Sequence, residues 1–333
     1  MTAQSTGERE EQTGGSRWYV RLLSWNLHAR PWSFDTQRRL SRVAQEVLSR
    51  LPDALLFQEV WTHANLRHLT ERLGTEYRVV EGPDSTSLRR RSGLLVFIRQ
   101  GWTIEDVAFQ PFTASAPRWR IWEADGLAGK GVQRVRIERG GRRLTLVNTH
   151  LQAEYGERRY DDVRAAQIRE LRDIVRQLPP TEPVILAGDL NTRPDEDAVL
   201  DGLLRDWVDL GQAFRERCGC GTQVHGDGRA GDWIDYVLAR PSLRGQARGT
   251  DFELLRNRAL DDPYSDHHGL FVTVELQQAP RLRTPLLGLL VDSPSALSRR
   301  QWLVASIQGA LDLGTPDWCL RRQKFARFFS PGS

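Results

Sequence analysis

The sequence predicts an α/β fold built on two β-sheets that face each other. Three observations carry this. Short apolar runs of strand length, rich in Val, Ile and Leu, recur between turn residues. Amphipathic helical stretches separate several of them. One strand–helix–strand unit is also echoed by a second: "LLSWNL", helix, "ALLFQEV" is matched by "LTLVNTHL", helix, "PVILAGDLN". In each copy a polar group ends the first strand and a carboxylate ends the second. Asn26 and Glu59 are 33 residues apart, and His150 and Asp189 are 39 apart. Units of this kind bring polar strand ends to one edge of a sheet, where α/β folds build their sites.

Residues 1–17 are polar, charged and glycine-containing, and read as a disordered arm. A catalytic domain over 18–277 follows. Its strands are "YVRLLSWNL", "DALLFQEV", "GLLVFIR", "VQRVRIE", "RLTLVNTHL", "PVILAGDLN", "WIDYVLA" and "GLFVTVEL". Asp35 is placed to cap a helix whose stripe is Leu40, Val43, Ala44, Val47, Leu48 and Leu51. Asn65 and Gly74 bracket a second helix. A third covers about 160–178, with Ile168, Leu171, Val175 and Leu178 inward. Residues 278–333 comprise a linker, "QQAPRLRTP", and an amphipathic helix over about 295–312 that packs on the main domain or contacts a membrane or partner.

At 333 residues and 39% hydrophobic, the chain can bury a sizeable core. A net charge of +4 permits an anionic partner without demanding one. Of 47 basic residues only Lys130 and Lys324 are lysine, which reflects codon usage and singles out Lys130. Three cysteines, Cys218, Cys220 and Cys319, suggest no disulfide framework and a reducing compartment. Cys218 and Cys220 with His225 make at most half a zinc site. The first residues hold no apolar stretch resembling a signal peptide, and no apolar run reaches the ~20 residues of a membrane span. The expected location is cytoplasmic, with peripheral membrane contact open.

The chemistry concentrates at strand ends: Asn26, Glu59, His150, Asp189, Asn191, Asp235, Asp266 and His267. Any one alone reads as a satisfied core polar group or a cap. Eight together do not, because a buried carboxylate is costly unless paired or metal-bound. Glu59 and Asp266, with neutral Asn26, are hard oxygen donors suited to Mg²⁺, which takes one or two carboxylates plus water and phosphate. Mn²⁺ or Co²⁺ could substitute. A histidine supplies the base that activates water, and Asn191 with a second histidine supplies donors to phosphate oxygens. In "SDHHGL" (265–270), strand alternation sends His267 and His268 to opposite faces, so one of them reaches the site.

The ordered series Asn26, "QE", "THL", "GDLN", "IDY" and "SDH" resembles the endonuclease/exonuclease/phosphatase superfamily, from about residue 19 to 276. The resemblance implies a DNase I-like four-layer α/β sandwich, two mixed sheets flanked by helices. "QEVW" (58–61), "ADGLAGKGVQRVRI" (124–137) and "NTHLQAEY" (148–155), followed by a helix with Arg164 and Gln167, are similar to its neutral sphingomyelinase branch. Those enzymes use Mg²⁺ to split sphingomyelin into ceramide and phosphocholine. Carried over by position, Glu59 is the principal metal ligand, with Asn26 and Asp266 on the metal side. His150 steadies the phosphate, Asp189 and Asn191 position water and phosphate, His267 is the base and Asp235 its orienting partner. Lys130 is either a turn residue or a phosphate-side group. His268 carries no role.

Two departures from the secreted bacterial members are expected: the first residues do not read as an export signal, and residues 278–333 read as an extra C-terminal segment. Trp32, Trp61 and Trp122 could seat a lipid or simply pack. The expected partner is a phospholipid at a membrane surface. The second reading is a nuclease, suggested by the arginine content and by "RWRIW" (118–122). A catalytically dead scaffold would lack a site residue, and none is missing.

Overall fold

The eight apolar runs all become strands, and every one of them lies inside a sheet. The computed structural model describes residues 17–30, 35–81, 92–117, 129–195, 198–225, 229, 231–243, 245–257 and 263–277. The expected arm up to residue 16, the C-terminal linker and helix, Trp32, Trp122 and "RWRIW" lie outside them. In chain order the elements are β1 (Arg17–Ala29), α1 (Thr36–Arg50), β2 (Ala54–Val60), α2 (His63–Leu73), β3 (Tyr77–Val80), β4 (Leu95–Arg99), β5 (Thr103–Pro111), β6 (Gly131–Arg139), β7 (Arg142–His150), α3 (Asp161–Arg176), β8 (Val184–Asp189), α4 (Ala198–Asp206), β9 (Val208–Asp209), α5 (Gln212–Cys218), β10 (Asp235–Ala239), β11 (Ala247–Leu255) and β12 (Gly269–Gln277).

Two six-stranded mixed sheets result, ordered β11-β12-β1-β2-β4-β3 and β5-β6-β7-β8-β10-β9. Each is centred on one copy of the repeated unit: β1 pairs parallel with β2, and β7 parallel with β8. The four strands that the apolar-run criterion passes over, β3, β5, β9 and β11, are the four sheet edges. Edge strands are not covered on both faces, so they need no continuous apolar run.

The inner faces meet in one core, with Val20, Leu22 and Leu56 from the first sheet and Leu146, Ile185 and Ala187 from the second. The outer face of the first sheet buries Leu23, Trp25 and Phe57 with Leu40, Val43 and Val47 of α1 and Leu69 of α2. On the second sheet, Ile168, Leu171 and Val175 of α3 and Leu200 and Leu203 of α4 join the larger core. Helix, sheet, sheet and helix make the four layers expected. No helix among the described residues is long and apolar enough to cross a membrane.

Several local expectations are corrected. β1 begins at Arg17, one residue before the expected boundary. Asp35 occupies the N-cap position of α1, but its carboxylate accepts from Arg39 Nε (3.3 Å) rather than from the helix start. Thr62, not Asn65, caps α2, accepting from the Asn65 amide (3.1 Å). Helices α4 and α5 were not anticipated. Cys218 and Cys220 form a disulfide, against the expectation of none. Gly219, at φ +56°, turns the chain back so that the two Cα atoms lie 5.2 Å apart, within disulfide reach. Sulfurs bonded to each other leave no thiolate pair for zinc.

Candidate active site

Along the inner faces the residues change from apolar to polar toward one end. β1 runs Leu22, Ser24, Asn26; β2 runs Leu56, Gln58; β7 runs Leu146, Asn148, His150; β8 runs Ile185, Ala187, Asp189. All of these are buried. A buried polar side chain needs a partner, and here the partners come from the opposite sheet. Gln58 Nε2 donates to Asn148 Oδ1 (2.8 Å), and Asn148 Nδ2 donates to the Phe57 carbonyl (3.0 Å). One step further, Asn26 Nδ2 donates both to Glu59 Oε1 (3.0 Å) and to Asp189 Oδ2 (2.9 Å), joining the two sheets at the site itself.

The backbone at this end is irregular. The β1–β2 register shifts between Asn26 and Ala29. His28 (φ +45°), Glu59 (φ +58°) and Asn191 (φ +49°) adopt the left-handed conformation. They are three of the five non-glycine residues that do so among the described residues, and such strain gathers where function over-determines geometry. It turns Glu59 out of the alternating pattern, leaving its side chain 15% exposed at the cleft.

His267 lies opposite, 5% exposed, with Nδ1 2.8 Å from Asp235 Oδ2 and Nε2 3.8 Å from Asp189 Oδ2. Its backbone is held by Ser265 Oγ, which accepts from the His267 amide (3.2 Å), and by Trp25 Nε1, which donates to its carbonyl (2.9 Å). Asp189 Oδ1 accepts from the Asn191 amide (2.8 Å). His150 Nε2 is 3.6 Å from Asp189 Oδ2. His267, His150 and Asn191 border a cleft of about 210 Å³, lined also by Arg30, Glu59, Trp61, Tyr155 and Asp266, with Asp189 and Asp235 behind them.

The charges are mutually dependent. Burial, reinforced by the charge of Asp235, pushes Asp189 up to about 7. Burial opposes protonation of His267, but Asp235 and Asp189 outweigh it and raise its pKa well above the ordinary value. Burial, with Lys130 and His267 nearby, lowers His150 well below 6.5 and keeps it neutral. Burial pushes Asp266 upward, yet His28, His267 and Arg30 hold it down at about 2.

All eight strand-end residues therefore meet at one end of the sandwich. Asp266 leans on His28, Oδ2 to Nδ1 at 2.5 Å. Lys130 is buried, and its Nζ donates to the Leu151 carbonyl (2.6 Å), which also accepts from Asn191 Nδ2 (3.0 Å). It shapes the loop behind the site rather than lining the cleft. Gly131 beside it could carry no side chain, since a Cβ would sit 2.4 Å from the Gln110 carbonyl. "SDHH" is not strand: β12 starts at Gly269, and His267 makes an isolated bridge to Gln223. The two histidines diverge because a loop, not a pleat, separates them.

His28, Ser265 and Trp25 were not singled out in the sequence. Ser265 stands in the "SDH" motif itself, Trp25 beside Asn26 and His28 two residues after it, and that proximity is the signal that marks them.

Three donors, on Asp189, Asp235 and His267, lie within 4.8 Å of one another, a different group from the expected metal set. His267 Nδ1 is already engaged by Asp235, so this trio fits proton handling. Glu59 fits a cation better: Asn26 fixes Oε1, Oε2 remains toward the cleft with Trp61 Nε1 at 3.4 Å, and the neighbouring donors are hard oxygens.

A profile of the Endonuclease/Exonuclease/phosphatase family matches residues 23–267. Sphingomyelin phosphodiesterase 2 of Mus musculus is 27% identical over 301 residues, covering 80% of this chain and 68% of its own length. Sphingomyelinase C of Leptospira interrogans is 26% identical over 194 residues, covering 52% of this chain and 34% of its own. The crystal structure of D. rerio TDP2 complexed with single strand DNA product matches with a TM-score of 0.62 at 18% identity, over 77% of this chain and 98% of that one. That last likeness is one of fold.

Proposed function

The chain belongs to the Endonuclease/Exonuclease/phosphatase family and is a hydrolase of phosphodiester bonds, and from that premise we propose that it is a Mg²⁺-dependent phospholipase C-type enzyme that releases a phospholipid head group, sphingomyelin being the first candidate. The observation that carries the reaction is the Asp235–His267 pair at the edge of the cleft. The neighbouring carboxylates favour the doubly protonated ring, so the reactive form is the one with Nε2 deprotonated: Asp235 holds the Nδ1 proton, and Nε2 takes a proton from water as the water oxygen bonds to phosphorus. The ester bond to the lipid alkoxide breaks, and a proton returns to that oxygen. Asp189, fixed through Asn26 and the Asn191 amide, orients the water. Neutral His150 and the second amide hydrogen of Asn191 are the donors for phosphate oxygens. Glu59, with Asn26 and Asp266 on the same side, would hold Mg²⁺, whose chemistry is to offset charge on the phosphoryl oxygens.

The lipid substrate rests on similarity to sphingomyelin phosphodiesterases across most of the chain. The nuclease reading draws on the DNA-bound structure of the same fold. It also calls for an arginine stripe along the cleft. Among the described residues the cleft is lined by Arg30 and Arg193; Arg193 pairs with Asp232 (3.1 Å) and Arg30 lies 4.0 Å from Glu59. Two arginines, each beside a carboxylate, do not make the stripe that a nucleic acid would need, which favours the lipid.

Purified protein assayed on sphingomyelin, lysophospholipid and phosphoinositide should release head group with Mg²⁺ and not with chelator. Absence of release from every lipid would overturn the proposal. Cleavage of single-stranded DNA with steep salt dependence would establish the nuclease instead.

A further inference from the structure

The base sits in the loop before β12 and its orienting carboxylate on the first residue of β10, and something must hold the two in register. Between them runs the segment Gly221–Val224, which follows α5 and its disulfide. Gly221 packs so closely against the neighbouring chain that a Cβ would lie 1.8 Å from the Gly231 carbonyl. Thr222 is fully buried. Its Oγ1 accepts from the backbone amides of Ile234 (3.0 Å) and Asp235 (3.2 Å). Its own amide donates to the Asp232 carbonyl (3.0 Å), and its carbonyl accepts from the His268 amide (2.7 Å). Gln223 bridges His267, and the Val224 amide donates to the Asp266 carbonyl (2.7 Å).

We propose that Thr222 is a positioning residue for hydrolysis, a clip whose hydroxyl fixes the backbone of Asp235 while its carbonyl fixes the residue after His267. The inference rests on the phosphodiesterase reading above, in which the Asp235–His267 contact at 2.8 Å sets the tautomer of the base. A threonine hydroxyl has one hydrogen and two lone pairs. Here both lone pairs are taken by the two amides that lead into Asp235. Valine, of nearly the same shape and volume, supplies neither, and serine supplies both while lacking only the methyl. Misplacement of a catalytic group by about an ångström costs on the order of 100-fold in rate, so the clip acts on turnover without touching substrate.

The test compares wild type, Thr222→Val and Thr222→Ser on sphingomyelin micelles and on bis(p-nitrophenyl) phosphate with Mg²⁺. Thr222→Val should lose roughly 10- to 100-fold in kcat with KM changed less than about twofold, and Thr222→Ser should recover most of it. The low-field proton resonance of the His267 Nδ1–H, assigned through loss in His267→Ala, should vanish or shift in Thr222→Val and persist in Thr222→Ser. Wild-type kcat in Thr222→Val, or equal losses in the valine and serine variants, would overturn the proposal. If wild type hydrolysed neither substrate, the functional reading would fall, and the resonance alone would decide the clip: its retention in Thr222→Val overturns it. Should Thr222→Val not fold, amide exchange in the unmodified protein replaces it. The Asp235 and His268 amides should then be protected together, and fast exchange of either would overturn the proposal.

Discussion

The two strand–helix–strand units share wiring and differ in finish. In the second unit the parallel register runs unbroken to its end, pairing His150 with Asp189, and both side chains are almost fully buried. In the first unit the register breaks after Asn26, and the break delivers Glu59 to the cleft in a left-handed conformation. A symmetric scaffold brings polar groups to one end. A local irregularity decides which of them meets solvent at the cleft and which stays dry beside His267.

The far ends of the units differ in the opposite sense. The loop entering β2 carries Asp53, 5% exposed, which accepts from the Arg21 amide (2.9 Å), Trp102 Nε1 (3.0 Å) and Arg139 Nη1 (3.1 Å). The loop entering β8 carries Glu182, which meets Arg136 through two bonds (2.8 and 2.9 Å) and also accepts from Thr145 Oγ1. The first carboxylate is built into the core, and the second sits nearer the surface.

The largest expected effects separate the active ends. His267→Ala should lower kcat on the order of 10²–10⁴-fold at any Mg²⁺ concentration. Glu59→Gln should be comparably severe at low Mg²⁺ and partly restored by raising it. Steady-state kinetics across a metal titration checks both, and identical metal dependence of the two variants would erase the division of labour between the units.

Next come the far ends. Asp53→Ala should destabilise by about 1–3 kcal/mol in denaturant unfolding, because it strands the buried Trp102 Nε1 and removes the acceptor of the Arg21 amide and of Arg139. Gln58→Leu tests the bridge between units: it should cost about 1–3 kcal/mol by leaving Asn148 Oδ1 unpaired, and pairing it with Asn148→Leu should recover part of that. Additive losses would show that the bridge carries no coupling.

The smallest effect is at Glu182. Burial raises its pKa, but Arg136 and Thr145 bring the net value below 4.5. The folded state therefore holds fewer protons than the unfolded one. The resulting stability is present above pH 4.5 and is lost as pH falls through the folded value. Glu182→Gln should lower Tm by about 1–2 °C at neutral pH, with the difference fading in acid. A pH-independent difference would assign the effect to packing.

Legibility in the sequence followed burial. The interior strands and the stripe of α1 declare themselves because both faces, or one helical face, must be apolar. "TIEDVAFQP" and "ARGTDFELL" do not, since half their residues meet water. Every strand-end residue of the site was visible as a polar group interrupting an apolar run. What stayed hidden was carried by backbone: the left-handed turns at His28 and Asn191, the Thr222 bonds, and the diversion of Lys130 to the Leu151 carbonyl. None of these has a spacing or a composition. They arise only when distant loops meet.

The edges carry one further consequence. An open strand edge is a template on which another chain can add a strand. The long edges here present Glu105 and Asp106 on β5, with Pro111 at its end, and Arg248, Asp251 and Glu253 on β11. Among the described residues, the outward amides and carbonyls of these edges have no strand partner within the sheet, and the charges beside them are what discourages another chain from pairing there. The residues that disguise these strands from a hydrophobic scan therefore mark the places where neutralising substitutions should first be felt as lost solubility.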